Sequence, residues 1–175
     1  MFKSIASIAL AAATTLVTTA PAEAASNHAD HVTLANAIKA AGVSIYVNPE
    51  VCWKRDSYGF YISSIKALVV CQEGKTRPDV VGVWSEEDYD TLRHEAQHMI
   101  QDCMIGTLAD DQLGSVYREP VNLAKNTFSM QEIRNIIAAY QDASEHVIVL
   151  ELEAFSVAAM NDPIEQAQDV QKYCF

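Results

Sequence analysis

The spacing of apolar residues changes along the chain, from short runs in its first half to helical periods in its second half. Apolar and polar positions alternate over residues 43–47, and compact apolar runs follow over 58–62, 67–71 and 79–84. Such runs, bounded by turn residues, are typical of strands. These segments predict a small antiparallel sheet, preceded by a short helix over 32–41.

Helical periods dominate from Ser85 onward. Ser85 and Asp88 have the spacing of a capping box, and apolar residues then recur every three or four positions, which predicts one long amphipathic helix. Its apolar stripe consists of Leu92, Ala96, Met99, Ile100 and Cys103. Residues 104–128 contain helix breakers, including Pro120, and are predicted to be loop-rich. Further helices are predicted over 129–140, 146–160 and 163–173. The expected fold is therefore α+β, with the sheet packed on the long helix.

The first residues have the composition of a secretory signal peptide. Lys3 precedes an apolar run over residues 5–17 that is too short to span a bilayer, and residues 22–24 read A-E-A, a small-residue cleavage site. We expect residues 1–24 to be removed, with an uncleaved N-terminal anchor as the alternative. Residues 25–175 would then form a single domain that is secreted or periplasmic. Its polar leader, which includes His28 and His31, is expected to be solvated.

The charge of the chain argues against two classes of partner. The formal net charge is −11 at pH 7, and the basic residues are not clustered. Nucleic acid and anionic lipid headgroups would therefore be repelled. No other stretch is apolar over the length that a membrane crossing needs, so we expect no stable membrane insertion after signal cleavage, and a monomer.

The chain has four cysteines, Cys52, Cys71, Cys103 and Cys174. Disulfides are the default in an exported protein, and four cysteines allow three pairings. We favour Cys52–Cys71, which would join neighbouring strands, and Cys103–Cys174, which would tie the C-terminus to the end of the long helix. A Cys-ligated zinc site is the alternative, although no C-x-x-C pair exists.

Residues 94–98 read H-E-A-Q-H, the pattern H-E-x-x-H. Residues i and i+4 of a helix share a face, so His94 and His98 can bind one zinc ion. Glu95 would lie beside the metal, where it can take a proton from a water molecule. At about 100° per residue, both histidines lie nearly opposite the apolar stripe. The long helix therefore has a core face and a separate polar face that carries the motif.

A catalytic zinc needs three protein ligands and one open position. Glu151 and Glu153 are the acidic residues of the otherwise apolar segment 146–160, and a buried carboxylate needs a cation or a hydrogen-bond network. Glu151 shares its helical face with apolar residues, which favours it as the third ligand, with Glu153 left open. An ion pair between Glu151 and Arg93 or Arg134 is the competing interpretation.

Residues 151–154 read E-L-E-A, which resembles the E-x-x-A element that follows H-E-x-x-H in the gluzincin metallopeptidases. The resemblance covers these two helices and implies a zincin-like fold, with His94, His98 and Glu151 as zinc ligands and Glu95 as the catalytic acid/base. Several gluzincin subfamilies continue with Asp or Asn where this chain has Phe155. Side chains that could contact a ligand histidine instead are Asp102, Glu153 and Asn161.

The activity implied by the resemblance is zinc-dependent hydrolysis of peptide or protein substrates. An additional donor would stabilise the oxyanion, and the candidates are Tyr117, Tyr140 and His146. In gluzincin-like folds an edge strand pairs with the substrate, and the candidate segments here are 67–71 and 80–84. Two other hypotheses stay open: a zinc-binding interaction module without efficient turnover, and a disulfide-stabilised structural domain in which H-E-x-x-H is coincidental.

Overall fold

The computed structural model describes residues 28–105 and 112–175, and the expected signal peptide, residues 1–24, lies outside them. Within these ranges the helices are His28–Ala40 (α1), Glu86–Met104 (α2), Pro120–Thr127 (α3), Met130–Ala139 (α4), Glu145–Met160 (α5) and Pro163–Cys174 (α6). The strands are Ser44–Val47 (β1), Gly59–Ile62 (β2) and Ala67–Val70 (β3), with short 3₁₀ helices at Glu50–Trp53 and Ser63–Ile65. The α+β class is confirmed. None of the helices in the two described ranges is both long and apolar enough to span a bilayer.

The sheet is mixed rather than antiparallel. Its order is β1-β3-β2, with β1 parallel to β3 and β2 antiparallel to β3. The chain leaves β1 through the first 3₁₀ helix, forms β2 at the far edge, and returns between the two strands as β3. Because β3 then runs in the direction of β1, the prediction of an antiparallel sheet is wrong for that pair. All residues of β3 are buried, as expected for a centre strand.

Residues 79–84 do not form the predicted fourth strand. Two buried side chains bind their backbone instead: Asn48 Nδ2 donates to the Val80 carbonyl and Gly82 N–H donates to Gln72 Oε1, each over 2.7 Å. Val83, an apolar member of this run, is 95% exposed. Side-chain hydrogen bonds thus take the place of a strand ladder in this segment.

Helix α1 begins at His28, before the predicted start at residue 32. His31 is 2% exposed and stacks on Tyr89, with ring centroids 4.1 Å apart. His28 stays exposed, but its Nδ1 lies 2.6 Å from Tyr89 Oη. The expectation that both histidines are solvated is therefore wrong for His31, because packing against α2 extends the helix.

Pro120 begins a helix instead of breaking one. Helix α3 lies in the stretch that was predicted to be loop-rich, and Pro120 occupies its first turn. A proline is favoured there, because the first helical N–H groups have no partner within the helix. Ala124 of α3 is fully buried with Leu152 of α5 and Ile133 of α4, so α3 covers one side of α5.

Helix α2 is the central element of the fold. The predicted capping box between Ser85 and Asp88 is present, and the predicted apolar stripe is buried against the sheet, α1 and α6. The opposite face of α2 packs on α5. As a result the polar face that carries the motif is buried too, which the sequence pattern does not indicate.

Two disulfides join Cys52 to Cys71 and Cys103 to Cys174, the pairing that the sequence analysis favours. The first ties the segment after β1 to the end of β3, and the second ties the end of α2 to the end of α6. All four cysteines are used, which excludes the Cys-ligated zinc site. Each bond stabilises the fold by about 2–4 kcal/mol on the loop-entropy argument.

Candidate metal centre

Three side chains from two helices converge at the interface between α2 and α5. His94 Nε2 and His98 Nε2 lie 3.1 Å apart, and Glu151 Oε2 lies 3.2 Å from the first nitrogen and 3.4 Å from the second. All three side chains are buried. Among the described residues, they are the one group of three or more His, Cys, Asp or Glu side chains that could hold a metal ion.

The spacing of these atoms suits a tetrahedral metal ion. Bonds of about 2.0–2.1 Å from zinc to nitrogen or oxygen separate neighbouring ligand atoms by about 3.3–3.4 Å, close to the 3.1, 3.2 and 3.4 Å observed. Neither oxygen of Glu151 has a hydrogen-bond partner among the described residues, although the residue is only 1% exposed. A carboxylate buried in this way requires a cation, so the three residues can hold a metal ion.

The electrostatics of the cluster agree with that conclusion. Burial raises the pKa of Glu151, but His98 and His94 outweigh burial and lower it well below its ordinary value. Burial lowers the pKa of His98, and the Glu151 carboxylate outweighs this effect and raises it to about 9. The carboxylate therefore stays ionised and attracts positive charge. A divalent cation can supply that charge in place of a proton on imidazole.

Arginine does not neutralise Glu151. Arg93 pairs with Asp90 one turn earlier on α2, and Arg134 donates to Gln131 on α4. The competing interpretation of Glu151 as the partner of an arginine is therefore wrong for the described residues, where its ionic contacts are the two imidazoles.

Glu153 has a different role from Glu151. It is fully buried and accepts hydrogen bonds from Gln97 Nε2, Gln101 Nε2, Ser115 Oγ, Val116 N–H and Tyr117 N–H. These donors satisfy its charge without a metal and fix the segment around residues 115–117 to α2 and α5. The structure thus brings Glu151, and not Glu153, to the two histidines.

Gln101 forms a hydrogen bond with one of the two motif histidines. His98 Nδ1 lies 2.8 Å from Gln101 Oε1, and Gln101 Nε2 donates to Glu153 and to the Leu150 carbonyl, each over 3.0 Å. Because an amide oxygen accepts, Nδ1 of His98 carries a proton, and Nε2 is the ring nitrogen that could bind a metal ion. No sequence signal assigns this role to Gln101.

The side chains proposed from sequence for this supporting contact lie elsewhere. Asp102 accepts from Tyr61 Oη over 2.7 Å, and Asn161 donates to Tyr117 Oη over 3.3 Å. Glu153 acts only through Gln101. Phe155, which replaces the polar residue of several gluzincins, packs against His94 with ring centroids 4.3 Å apart.

Glu95 is buried between α2 and β2. The backbone N–H of Tyr61 donates to its carboxylate. Burial raises the pKa of Glu95 and the Glu151 carboxylate raises it further, while His94, His98 and the Tyr61 N–H lower it; the net shift is upward. A raised pKa, and a position beside residues that could hold a metal ion, suit this carboxylate to accept and return a proton.

Strand β2 approaches α2 so closely that position 59 has room only for glycine. A Cβ on Gly59 would lie 2.5 Å from Thr91 Cγ2, 2.7 Å from the Val69 carbonyl oxygen and 3.1 Å from Glu95 Cγ. This close approach allows the backbone of β2 to hold the Glu95 carboxylate. The prediction that residues 67–71 or 80–84 form an edge strand for substrate pairing is wrong. Residues 67–71 contain the centre strand β3, and residues 80–84 form no strand.

A pocket of about 210 Å³ opens beside His94 and Glu95. Its other lining residues are Tyr58, Glu87, Asp90, Thr91, Phe128, Phe155, Ala158 and Ala159. It gives a ligand access to the buried residues of α2.

The three oxyanion-stabilising candidates do not line this pocket in the part of the chain that the structure describes. Tyr117 Oη accepts from Asn161, His146 Nε2 lies 2.9 Å from the Leu113 carbonyl oxygen, and Tyr140 lies edge-on to Phe155. Tyr58 does line it. The sequence pattern indicated only a place in a strand for Tyr58, and no sequence signal distinguishes it from the other tyrosines.

Residues 16–175 match the family described as Domain of unknown function (DUF8637). No curated protein and no solved structure matches the chain. The family description names no activity, so the chemistry of the site is the basis for any function.

Proposed function

The chain belongs to the DUF8637 family, and we propose that it is a zinc-dependent peptidase with a gluzincin-like arrangement of ligands. One observation carries the proposal: the two imidazoles of H-E-x-x-H and Glu151 on another helix converge at the distances of a tetrahedral site. Two imidazoles and a carboxylate are a donor set that catalytic zinc uses in peptidases. The geometry alone also accommodates other divalent ions, and the adjacent Glu95 favours zinc-assisted hydrolysis.

The residues around the site have separate tasks in this proposal. Zinc, when bound, supplies a Lewis acid that polarises a peptide carbonyl and lowers the pKa of a neighbouring water. Glu95 accepts the proton of the attacking water and returns it to the leaving amine. Tyr58, which lines the pocket together with Glu95, is the candidate donor to the oxyanion. Gln101 keeps His98 in the tautomer that binds metal through Nε2.

The two disulfides support the expected location of the protein. Disulfides persist in oxidising compartments outside the cytosol, and the composition of residues 1–24 predicts export. We therefore place the peptidase in the periplasm or the extracellular medium, with exported or extracellular polypeptides as substrates.

The test compares wild-type protein with Glu95→Gln. Both proteins, purified with intact disulfides, are assayed against a mixture of unstructured peptides while their zinc content is measured. We expect zinc to be retained and hydrolysis to fall by about 10²–10⁴-fold, the typical contribution of a general base. Glu86→Gln is the matched control, because Glu86 lies exposed on the same helix outside the pocket.

Two results would overturn the proposal. Hydrolysis that survives Glu95→Gln would remove Glu95 from the chemistry. Zinc binding without hydrolysis of any peptide by the wild-type protein would instead identify a zinc-binding module without turnover.

A further inference from the structure

The pocket beside Glu95 extends along α2 toward the N-terminus of that helix. His94 and Glu95 lie at its inner end, and Glu87 and Asp90 lie on preceding turns of α2. At 1.5 Å per residue, the helix rises about 10 Å between Glu87 and His94. A side chain beside the reacting peptide bond would therefore have to be long to reach Glu87.

Apart from Thr91, the remaining walls of the pocket are aromatic or apolar. Tyr58, Phe128 and Phe155 contribute aromatic rings, and Ala158 and Ala159 contribute small side chains on α5. Aromatic faces accommodate an alkyl stem and also attract a cation. The walls thus suit a long side chain that is apolar along most of its length.

The outer end of the pocket is negatively charged. Burial raises the pKa of Glu87, and the neighbouring carboxylates of Asp90, Glu73 and Asp88 raise it further. Arg93 pairs with Asp90 but does not line the pocket. No lysine or arginine among the described residues lines it, so no basic side chain of the lining offsets the repulsion between these carboxylates, and a cationic ligand would offset it.

We propose that this pocket selects a lysine or arginine side chain next to the scissile peptide bond, an inference that rests on the proposed peptidase function. The alkyl stem lies between the aromatic walls, and the cationic end reaches Glu87 and Asp90. A norleucine side chain fills the space between the same walls but does not neutralise the carboxylates. A glutamate side chain is repelled by them and by the net charge of −11.

The test measures binding separately from turnover. Two acetylated and amidated heptapeptides, identical except for lysine or norleucine at the central position, are titrated calorimetrically into zinc-loaded Glu95→Gln protein at low salt. We expect the lysine peptide to bind about 5- to 20-fold more tightly, as one hydrogen-bonded charge pair supplies. The preference should shrink at high salt, because the outer carboxylates are solvent-exposed. Wild-type protein stripped of metal with a chelator is a second non-hydrolysing form in which to repeat the titration.

Matched variants locate the source of the preference. Glu87→Gln should remove most of the lysine preference and leave norleucine binding unchanged. Glu86→Gln removes the same charge from the adjacent exposed residue, which does not line the pocket, and should leave both affinities unchanged.

The outcomes separate this inference from the peptidase function. Equal affinity for the two peptides, tighter norleucine binding, no binding of either peptide, or a lysine preference that survives Glu87→Gln would each overturn the inference. If wild-type protein then still hydrolysed peptides in a Glu95-dependent way, the peptidase function would stand. A lysine preference that depends on Glu87, in a protein that hydrolyses no peptide, would support the cation pocket and refute the peptidase.

Discussion

Replacing Gln101 with methionine should weaken metal binding as well as the fold. Gln101 is fully buried and joins His98 to Glu153 through its side-chain amide. Methionine has a similar length and shape but neither accepts from His98 Nδ1 nor donates to Glu153. The imidazole of His98 would then lose the contact that fixes its tautomer and ring orientation.

The magnitude follows from the contacts that are lost. Removing a hydrogen bond that orients a metal-binding histidine lowers metal affinity by about 10–100-fold, or about 1.4–2.7 kcal/mol. The side chain also loses its bonds to Glu153 and to the Leu150 carbonyl. Together with the bond to His98, three hydrogen bonds are lost. At about 1 kcal/mol each, their loss should lower the free energy of unfolding of the metal-free protein by about 3 kcal/mol.

Gln97→Met is the matched control. Gln97 is equally buried, lies one turn earlier on α2 and donates to Glu153 over 3.0 Å, but it is not the partner of His98. Zinc affinity is measured by competition with a chromophoric chelator, below the melting temperature of the least stable variant. We expect zinc affinity to fall in Gln101→Met and to change by less than about threefold in Gln97→Met. Equal losses in the two variants, or no loss in Gln101→Met, would refute a specific role for Gln101.

Two further predictions concern the fold and the pH response. Gly59→Ala should lower the free energy of unfolding by about 1–3 kcal/mol or more, measured by urea denaturation, because its Cβ would meet Thr91 and the rigid Val69 carbonyl; unchanged stability would contradict the close approach of β2 to α2. In the metal-free protein, the pKa of His98 is raised from 6.5 to about 9 and that of Glu151 is lowered. Their mutual stabilisation is therefore complete between about pH 4.5 and 6.5, and it is lost as the pH rises through 9 or falls toward the lowered pKa of Glu151. Melting temperatures of the metal-free wild-type and Glu151→Gln proteins across this range should show a weaker pH dependence in the variant, which lacks the pair of Glu151 with His98.

The sequence predicts most elements of this fold because local signals there agree with tertiary packing. The capping box at Ser85 and the apolar stripe define α2, and short runs of apolar and aromatic residues define the three strands. The predictions that are wrong depend on partners distant in sequence. Strand direction is set by how β1 and β3 pair, and residues 79–84 are held by Asn48 and Gln72. Neither feature leaves a periodic pattern.

The candidate site divides in the same way. The H-E-x-x-H spacing indicates His94 and His98, and a buried charge that needs a partner favours Glu151, although the sequence leaves Glu153 open as the third ligand. The supporting contact from Gln101 and the place of Tyr58 in the pocket depend on how α2 meets α5 and β2. Such geometry is set by how the helices pack. The spacing of residues along one sequence does not show this packing.

Metal content is the most direct test of the claim that these three side chains hold a divalent ion. Wild-type protein, His94→Ala and Glu151→Ala are purified in parallel with their disulfides intact, and zinc, iron and manganese are quantified by mass spectrometry. We expect about one zinc per wild-type chain and near-complete loss in both variants, since each removes one of three protein ligands. A wild-type protein without bound metal, or folded variants that keep a full equivalent, would contradict the account.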